Sequence, residues 1–135
     1  MILIVDANVI IAALIKNSKA REILLSGNFK FLAPDFVKEE TSKYLEYVRQ
    51  KSGMEEDTLN LLVTFVFQEI QTIPIEDYEA ELKNAKELMK EDIKDAPYVA
   101  CYLAFKCDGI WTNDSDYKGK RGIRIFGTSD LLKLL

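Results

Sequence analysis

The chain contains no histidine. That absence removes a Ser-His-Asp triad, a Cys-His pair, histidine-ligated zinc and RNA cleavage by paired imidazoles. Any enzyme built on this sequence must work through carboxylates, Lys, Tyr or a metal ion. Cysteine is scarce as well: the only two, Cys101 and Cys107, lie in one apolar segment that reads as helical. Spaced as they are on a helix they face different ways, so they are expected to be unpaired, small buried hydrophobes in a reducing cytoplasm. No apolar run approaches the length of a membrane span; the longest, around Val9 to Ile15, is too short. The apolar start Met1 to Val5 does not read as a signal peptide, because no basic region precedes it and Asp6 follows at once. An excess of positive charge is missing too. The formal net charge is −4, which at first sight counts against a nucleic-acid binder. Five of the acids are argued below to share one site; the rest of the chain is near neutral, and bound cations would offset the local acidity.

What is present suits one domain over residues 1–135, with 48% hydrophobic residues and no internal repeat, low-complexity tract or linker. Ile2-Leu3-Ile4-Val5 is a continuous β-branched run, as a strand buried on both faces of a parallel sheet requires. Asn8 to Ile15 and Lys19 to Leu25 read as helices, with Ser18 as an N-cap. Gly27-Asn28 ends the second, and Phe29 to Ala33 reads as a strand. A helix opens at Pro34-Asp35, its apolar positions Phe36, Val37, Tyr44, Leu45 and Val48 recurring at roughly helical spacing. Glu55 to Ile70 is a further helix, and Thr72 to Ile75 a brief strand containing Pro74. Tyr78, Leu82, Ala85, Leu88 and Met89 mark an amphipathic helix. Asp95-Ala96-Pro97 starts another that runs to about Phe105. Ile110 to Thr112 and Ile123 to Phe126 read as strands around a basic loop, and Thr128 or Ser129 caps a final helix. Strands alternating with helices predict an α/β fold of three layers, α/β/α, around a mainly parallel sheet of four to five strands.

Ligand sites in such sheets lie beyond the carboxyl ends of the strands. Asp6 directly follows the first strand. Asp114 follows the strand ending at Thr112, with Asp116 two residues on. Asp95 starts the helix leading into that strand, and Glu40 lies in the helix after the second strand. Converging carboxylates repel one another unless a cation neutralises them, and oxygen-only ligands favour Mg²⁺ or Mn²⁺. With no histidine, the chemistry this implies is phosphodiester hydrolysis. Taken singly, each acid has an ordinary reading. Asp6 and Asp95 can cap helices, Glu40 can be a solvated helix residue like its neighbour Glu39, and Asp114 and Asp116 can be turn formers. Asp92 reads as peripheral. The joint pattern carries the argument.

Four segments bear a resemblance to one family. They are Ile4-Val5-Asp6-Ala7-Asn8, Pro34-Asp35-Phe36-Val37-Lys38-Glu39-Glu40, Asp95-Ala96-Pro97-Tyr98-Val99-Ala100 and Ile110-Trp111-Thr112-Asn113-Asp114-Ser115-Asp116-Tyr117. In order and coverage the sequence resembles PIN-domain proteins, small metal-dependent nucleases that include the VapC toxins. The Val-Asp-x-Asn and Thr-Asn-Asp-x-Asp segments are the specific ones. By that resemblance Asp6, Glu40, Asp95 and Asp114 are catalytic metal ligands, and Asp116 is a more variable fifth acid. Asn8, Thr112 and Asn113 would be polar support. Glu40 is preferred to Glu39 because it fits the family's Pro-x-x-Val-x-x-Glu arrangement. No member of the acidic set is missing.

The resemblance implies an endoribonuclease that uses one or two Mg²⁺ or Mn²⁺ ions and a metal-activated water. It also implies a homodimer and, if the chain is the toxin of a VapBC-type pair, a small antitoxin partner. RNA would need positive charge near the acids. Lys118, Lys120 and Arg121 are best placed; Lys16, Lys19 and Arg21 form a second group, and Lys43 lies one turn beyond Glu40. A solvated surface is the ordinary reading for all of them. Tyr117 either stacks on a base or closes the core. The alternative function is a PIN-fold RNA-binding or RNA-processing factor without its own catalysis. A phosphatase-type site would need an acid where Asn8 stands, and a receiver-type set of acids and Lys does not fall into place.

Overall fold

The computed structural model describes residues 1–135. Ile2–Val5 forms β1, and its last three residues are fully buried, as a central strand covered on both faces must be. It pairs in parallel with β2 (Lys30–Pro34) on one side and β4 (Gly109–Trp111) on the other. β3 (Ile70–Ile73) extends the sheet beyond β2, and β5 (Ile125–Phe126) beyond β4. The order is β3-β2-β1-β4-β5, with every pairing parallel.

Helices α1 (Ala7–Ile15) and α2 (Lys19–Leu25) connect β1 to β2. Helices α3 (Val37–Ser42), α4 (Leu45–Ser52) and α5 (Glu56–Gln68) connect β2 to β3. The return to β4 uses α6 (Leu82–Met89) and α7 (Ala96–Ala104), and α8 (Thr128–Leu132) closes the chain. Parallel crossovers are right-handed, so the outward connections and the return past β1 take opposite faces. Accordingly α7 packs over β2, β1 and β4, whereas α1 packs with α2, α3, α4 and α5. The three layers share one hydrophobic core with Trp111, Tyr98, Tyr117 and Phe31 among its largest members. No helix is long and apolar enough to cross a membrane.

Several boundaries differ from the sequence expectation. The helix expected from Asp35 onward is two helices. Lys38 to Lys43 offers no apolar residue, the Ser42 hydroxyl bonds back to the Lys38 carbonyl at 2.8 Å, and the Tyr44 amide tightens onto Thr41. Tyr44 is consequently exposed rather than core. β3 begins at Ile70, two residues earlier than expected, because this register buries Ile70 and Ile73 and leaves Ile75 exposed. β4 ends at Trp111, and β5 is confined to the two residues that pair with Ile110 and Trp111. Helix α7 stops at Ala104, so Cys107 lies beyond it in the turn into β4; both thiols are buried and free. The final helix has Gly127, not Thr128 or Ser129, at its N-cap position.

The chain leaves β1 toward β2 on one side and reaches β4 on the other. The carboxyl ends of β1 and β4 therefore flank the switch point at which open α/β sheets bind ligands.

Candidate functional site

Asp6 occupies the N-cap position of α1, yet its side chain makes no cap hydrogen bond. Its backbone amide continues the sheet by donating to the Trp111 carbonyl at 3.1 Å, and Oδ2 accepts the Thr112 hydroxyl at 2.7 Å. The residue is 4% exposed. Burial raises its pKa most, with smaller upward contributions from Asp114 and Glu40; the Thr112 hydroxyl and the Asn8 amide oppose the shift.

Asp95 likewise stands at a helix N-terminus without capping it. It is buried, its Oδ2 has no hydrogen-bond partner, and its pKa is pushed up to about 7. Burial is the main cause, followed by the charges of Asp6 and Asp114 and by a hydrogen bond with the Asp116 carboxyl, while Lys94 opposes the shift. A bond between two carboxyls needs a proton on one of them. Neither side chain makes a cap hydrogen bond, so capping does not account for either acid, although the Asn8 amide of α1 still favours the Asp6 carboxylate.

Asp95, Asp114 and Asp116 each offer a carboxylate oxygen, all within 4.8 Å of one another. The Asp114 amide donates to Thr112 Oγ1 at 3.0 Å, and Asp114 Oδ1 accepts the Asp116 amide at 2.9 Å, an Asx turn that sets both acids. Asp116, the variable member by resemblance, is here inside the tightest cluster. Asp6 reaches it through Thr112. Glu40 lies in α3 and is held from the other side, where Tyr98 donates its phenol hydrogen to Oε1 at 2.7 Å.

The supporting residues divide. Thr112 is buried and serves both Asp6 and Asp114. Asn113 turns away and clamps the start of α8: its Nδ2 donates to Thr128 Oγ1 at 3.1 Å and its Oδ1 accepts the Thr128 amide at 3.2 Å. Asn8 is exposed, and its side chain makes no hydrogen bond within the chain. Among the cations, Lys120 pairs with Asp92 at 3.3 Å and donates to the Met89 carbonyl at 3.2 Å, joining the loop after Asp116 to the segment before Asp95. Lys118 is exposed on a cleft lined by Thr112, Asn113 and Asp114, and Arg121 is exposed farther round. Arg21 is occupied with the Ala13 and Leu14 carbonyls. Tyr117 is fully buried, closing the core, and its hydroxyl has no partner.

Sequence reasoning missed Tyr98 as a functional side chain. The available signal was its position three residues after Asp95, which puts both on one helix face. The Lys120–Asp92 tether had no sequence signal, because the two residues belong to separate segments. Three clustered carboxylates, one of them with an orphaned buried oxygen, suit a hard divalent cation, which would satisfy Asp95 and cancel the repulsion. The family model for the PIN domain matches residues 4–133. None of the curated proteins matches the chain.

Proposed function

The chain belongs to the PIN-domain family, and from that premise we propose that it is a divalent-metal-dependent ribonuclease. The observation that carries this reading is the convergence of Asp95, Asp114 and Asp116 within 4.8 Å with a buried Asp95 oxygen left unsatisfied. A protein gains nothing in stability from such an arrangement, since the buried, unpaired charge costs free energy. A cation-binding role accounts for it.

Asp95, Asp114 and Asp116, with Asp6 and Glu40 beside them, are the residues that would hold Mg²⁺ or Mn²⁺. When bound, the ion supplies Lewis-acid activation of water and charge for the phosphate. The chain's own groups do the rest. Thr112 orients Asp6 and Asp114 together, Tyr98 holds Glu40, and exposed Lys118 offers positive charge to the RNA backbone beside the acids. The absence of histidine leaves no competing base of that type.

On the same family reading the protein is a homodimer, and as a toxin it would be held by a small antitoxin. Exposed Tyr44, Tyr47, Leu61 and Phe65 offer apolar surface for such association. The test of function is cleavage of RNA with Mn²⁺ or Mg²⁺ by the wild type, Asp6→Asn and Asp114→Asn. Cleavage by the wild type alone, abolished by chelator, supports the reading. Equal activity in all three, or activity that survives excess chelator, overturns it.

A further inference from the structure

We propose that Tyr98 is a positioning residue that sets the Glu40 carboxylate for the metal, an inference that rests on the metal-site reading above. Glu40 has a long side chain on a short helix, α3, whose first turn has no side-chain cap. Nothing in α3 itself orients it. Tyr98 comes from α7, the helix that begins beside Asp95, and reaches Glu40 across 58 residues of chain. Its ring is 1% exposed and packs against Phe36, the residue preceding α3, with centroids 5.3 Å apart and planes inclined by 60°. The ring is thus anchored at both the helix that bears it and the root of the helix that bears Glu40. The hydroxyl has a fixed location, and from there it donates to Glu40 Oε1 at 2.7 Å.

The phenol hydroxyl is the donor of this bond, since the carboxylate can only accept. Donation occupies Oε1 and leaves Oε2 free to face a cation. The same bond restrains the Glu40 carboxylate, whose charge acts on Asp6, against the repulsion that would drive a mobile carboxylate out to solvent. The device is preorganisation: side-chain freedom is removed by folding and not at the moment of binding.

Tyr98→Phe deletes only the hydroxyl. The measurement is Mn²⁺ affinity by titration calorimetry, on wild type, Tyr98→Phe, Glu40→Ala and the double variant, with cleavage rates alongside. A bond to a charged group sets the scale, and a loss of roughly tenfold in Mn²⁺ affinity is expected for Tyr98→Phe. On the Glu40→Ala background the same change should have no further effect, because Tyr98 acts through Glu40. Phe36→Leu, which keeps the hydroxyl and removes the ring contact, reports what altered packing alone does. Wild-type affinity in Tyr98→Phe, or an equal loss with and without Glu40, overturns the positioning role. Asp6→Asn separates the two ideas. If Mn²⁺ binds the wild type, fails on Asp6→Asn and is indifferent to Tyr98→Phe, the metal site stands and the positioning role falls. If Mn²⁺ does not bind the wild type, both fall.

Discussion

The Thr112 hydroxyl donates to Asp6 Oδ2 at 2.7 Å. Thr112 Oγ1 in turn accepts the Asp114 amide at 3.0 Å, so one side chain at the end of β4 sets two acids that arise from different strands. Because Thr112 is buried, water cannot substitute for it. Thr112→Val should destabilise the protein by about 1–3 kcal/mol in denaturant unfolding, the cost of an unsatisfied buried acceptor. It should lower RNA cleavage more than Thr112→Ser, which keeps the hydroxyl. Equal cleavage by the two variants would sink the bridging role.

Stability without metal should fall as the solution becomes less acidic. The Asp95 carboxyl is raised from 3.8 to about 7, by burial first and then by the charges of Asp6 and Asp114. The folded state therefore holds its proton more tightly than the unfolded chain does. The resulting stability is fully present below the unfolded value and is lost as pH rises through about 7. Urea titrations in chelator from pH 4.5 to 8 should show this decline. Asp95→Asn should flatten it and be the more stable protein at pH 8. A flat wild-type profile would contradict the argument.

Metal should restore what deprotonation removes, since a cation favours the charged acids. Mn²⁺ at a hundred times its dissociation constant should add about 2.7 kcal/mol to wild-type stability. Asp114→Asn and Asp116→Asn should both lose most of that increment, because both lie in the tight cluster with Asp95. Thermal denaturation with and without Mn²⁺ measures it. An increment undiminished in Asp116→Asn would remove that residue from the site.

Two neighbouring lysines should behave oppositely. Lys120 is mostly buried in its pair with Asp92, so Lys120→Met should cost stability, about 1 kcal/mol, and loosen the loop after Asp116. Exposed Lys118 makes no hydrogen bond or ion pair through its side chain. Lys118→Ala should leave unfolding unchanged but weaken RNA binding and reduce its salt dependence by roughly one ion. Filter binding across a salt series decides, using a cleavage-dead Asp114→Asn background.

Gly109 is required by packing, not by a turn. A Cβ there would stand 2.5 Å from the Phe126 ring and 3.0 Å from the Arg124 carbonyl oxygen. Gly109→Ala should destabilise by about 1–3 kcal/mol and prise β5 from β4. Hydrogen exchange at the Thr112 amide, which donates to Phe126 at 3.0 Å, should accelerate. Protection equal to the wild type would show that the strand yields without cost.

Much of the fold was legible because hydrophobic pattern and strand alternation are local. The run Ile2–Val5 announced a central parallel strand, and Lys19–Leu25 has the bounds its flanking Ser18 and Gly27 imply. The misread boundaries lie where register or packing decides. Ile70 continues the α5 pattern but is claimed by its pairing with Phe31, and the gap between α3 and α4 depends on Ser42 bonding back to Lys38. Composition alone excluded histidine chemistry, since a residue that is absent can take no part.

For the site, the order of Asp6, Glu40, Asp95, Asp114 and Asp116 along an alternating chain placed them all near one edge of the sheet. Their separations were beyond sequence, because distance between segments is set by how layers pack. Only the tertiary structure put Asp116 beside Asp95, turned Asn113 toward Thr128, committed Lys120 to Asp92 and brought the Tyr98 hydroxyl to Glu40. The sequence determined which chemistry was available. The packing of α7 and the loop after β4 decided which of those groups face one another, because a hydrogen bond or a shared cation depends on ångström distances that no spacing along the chain encodes.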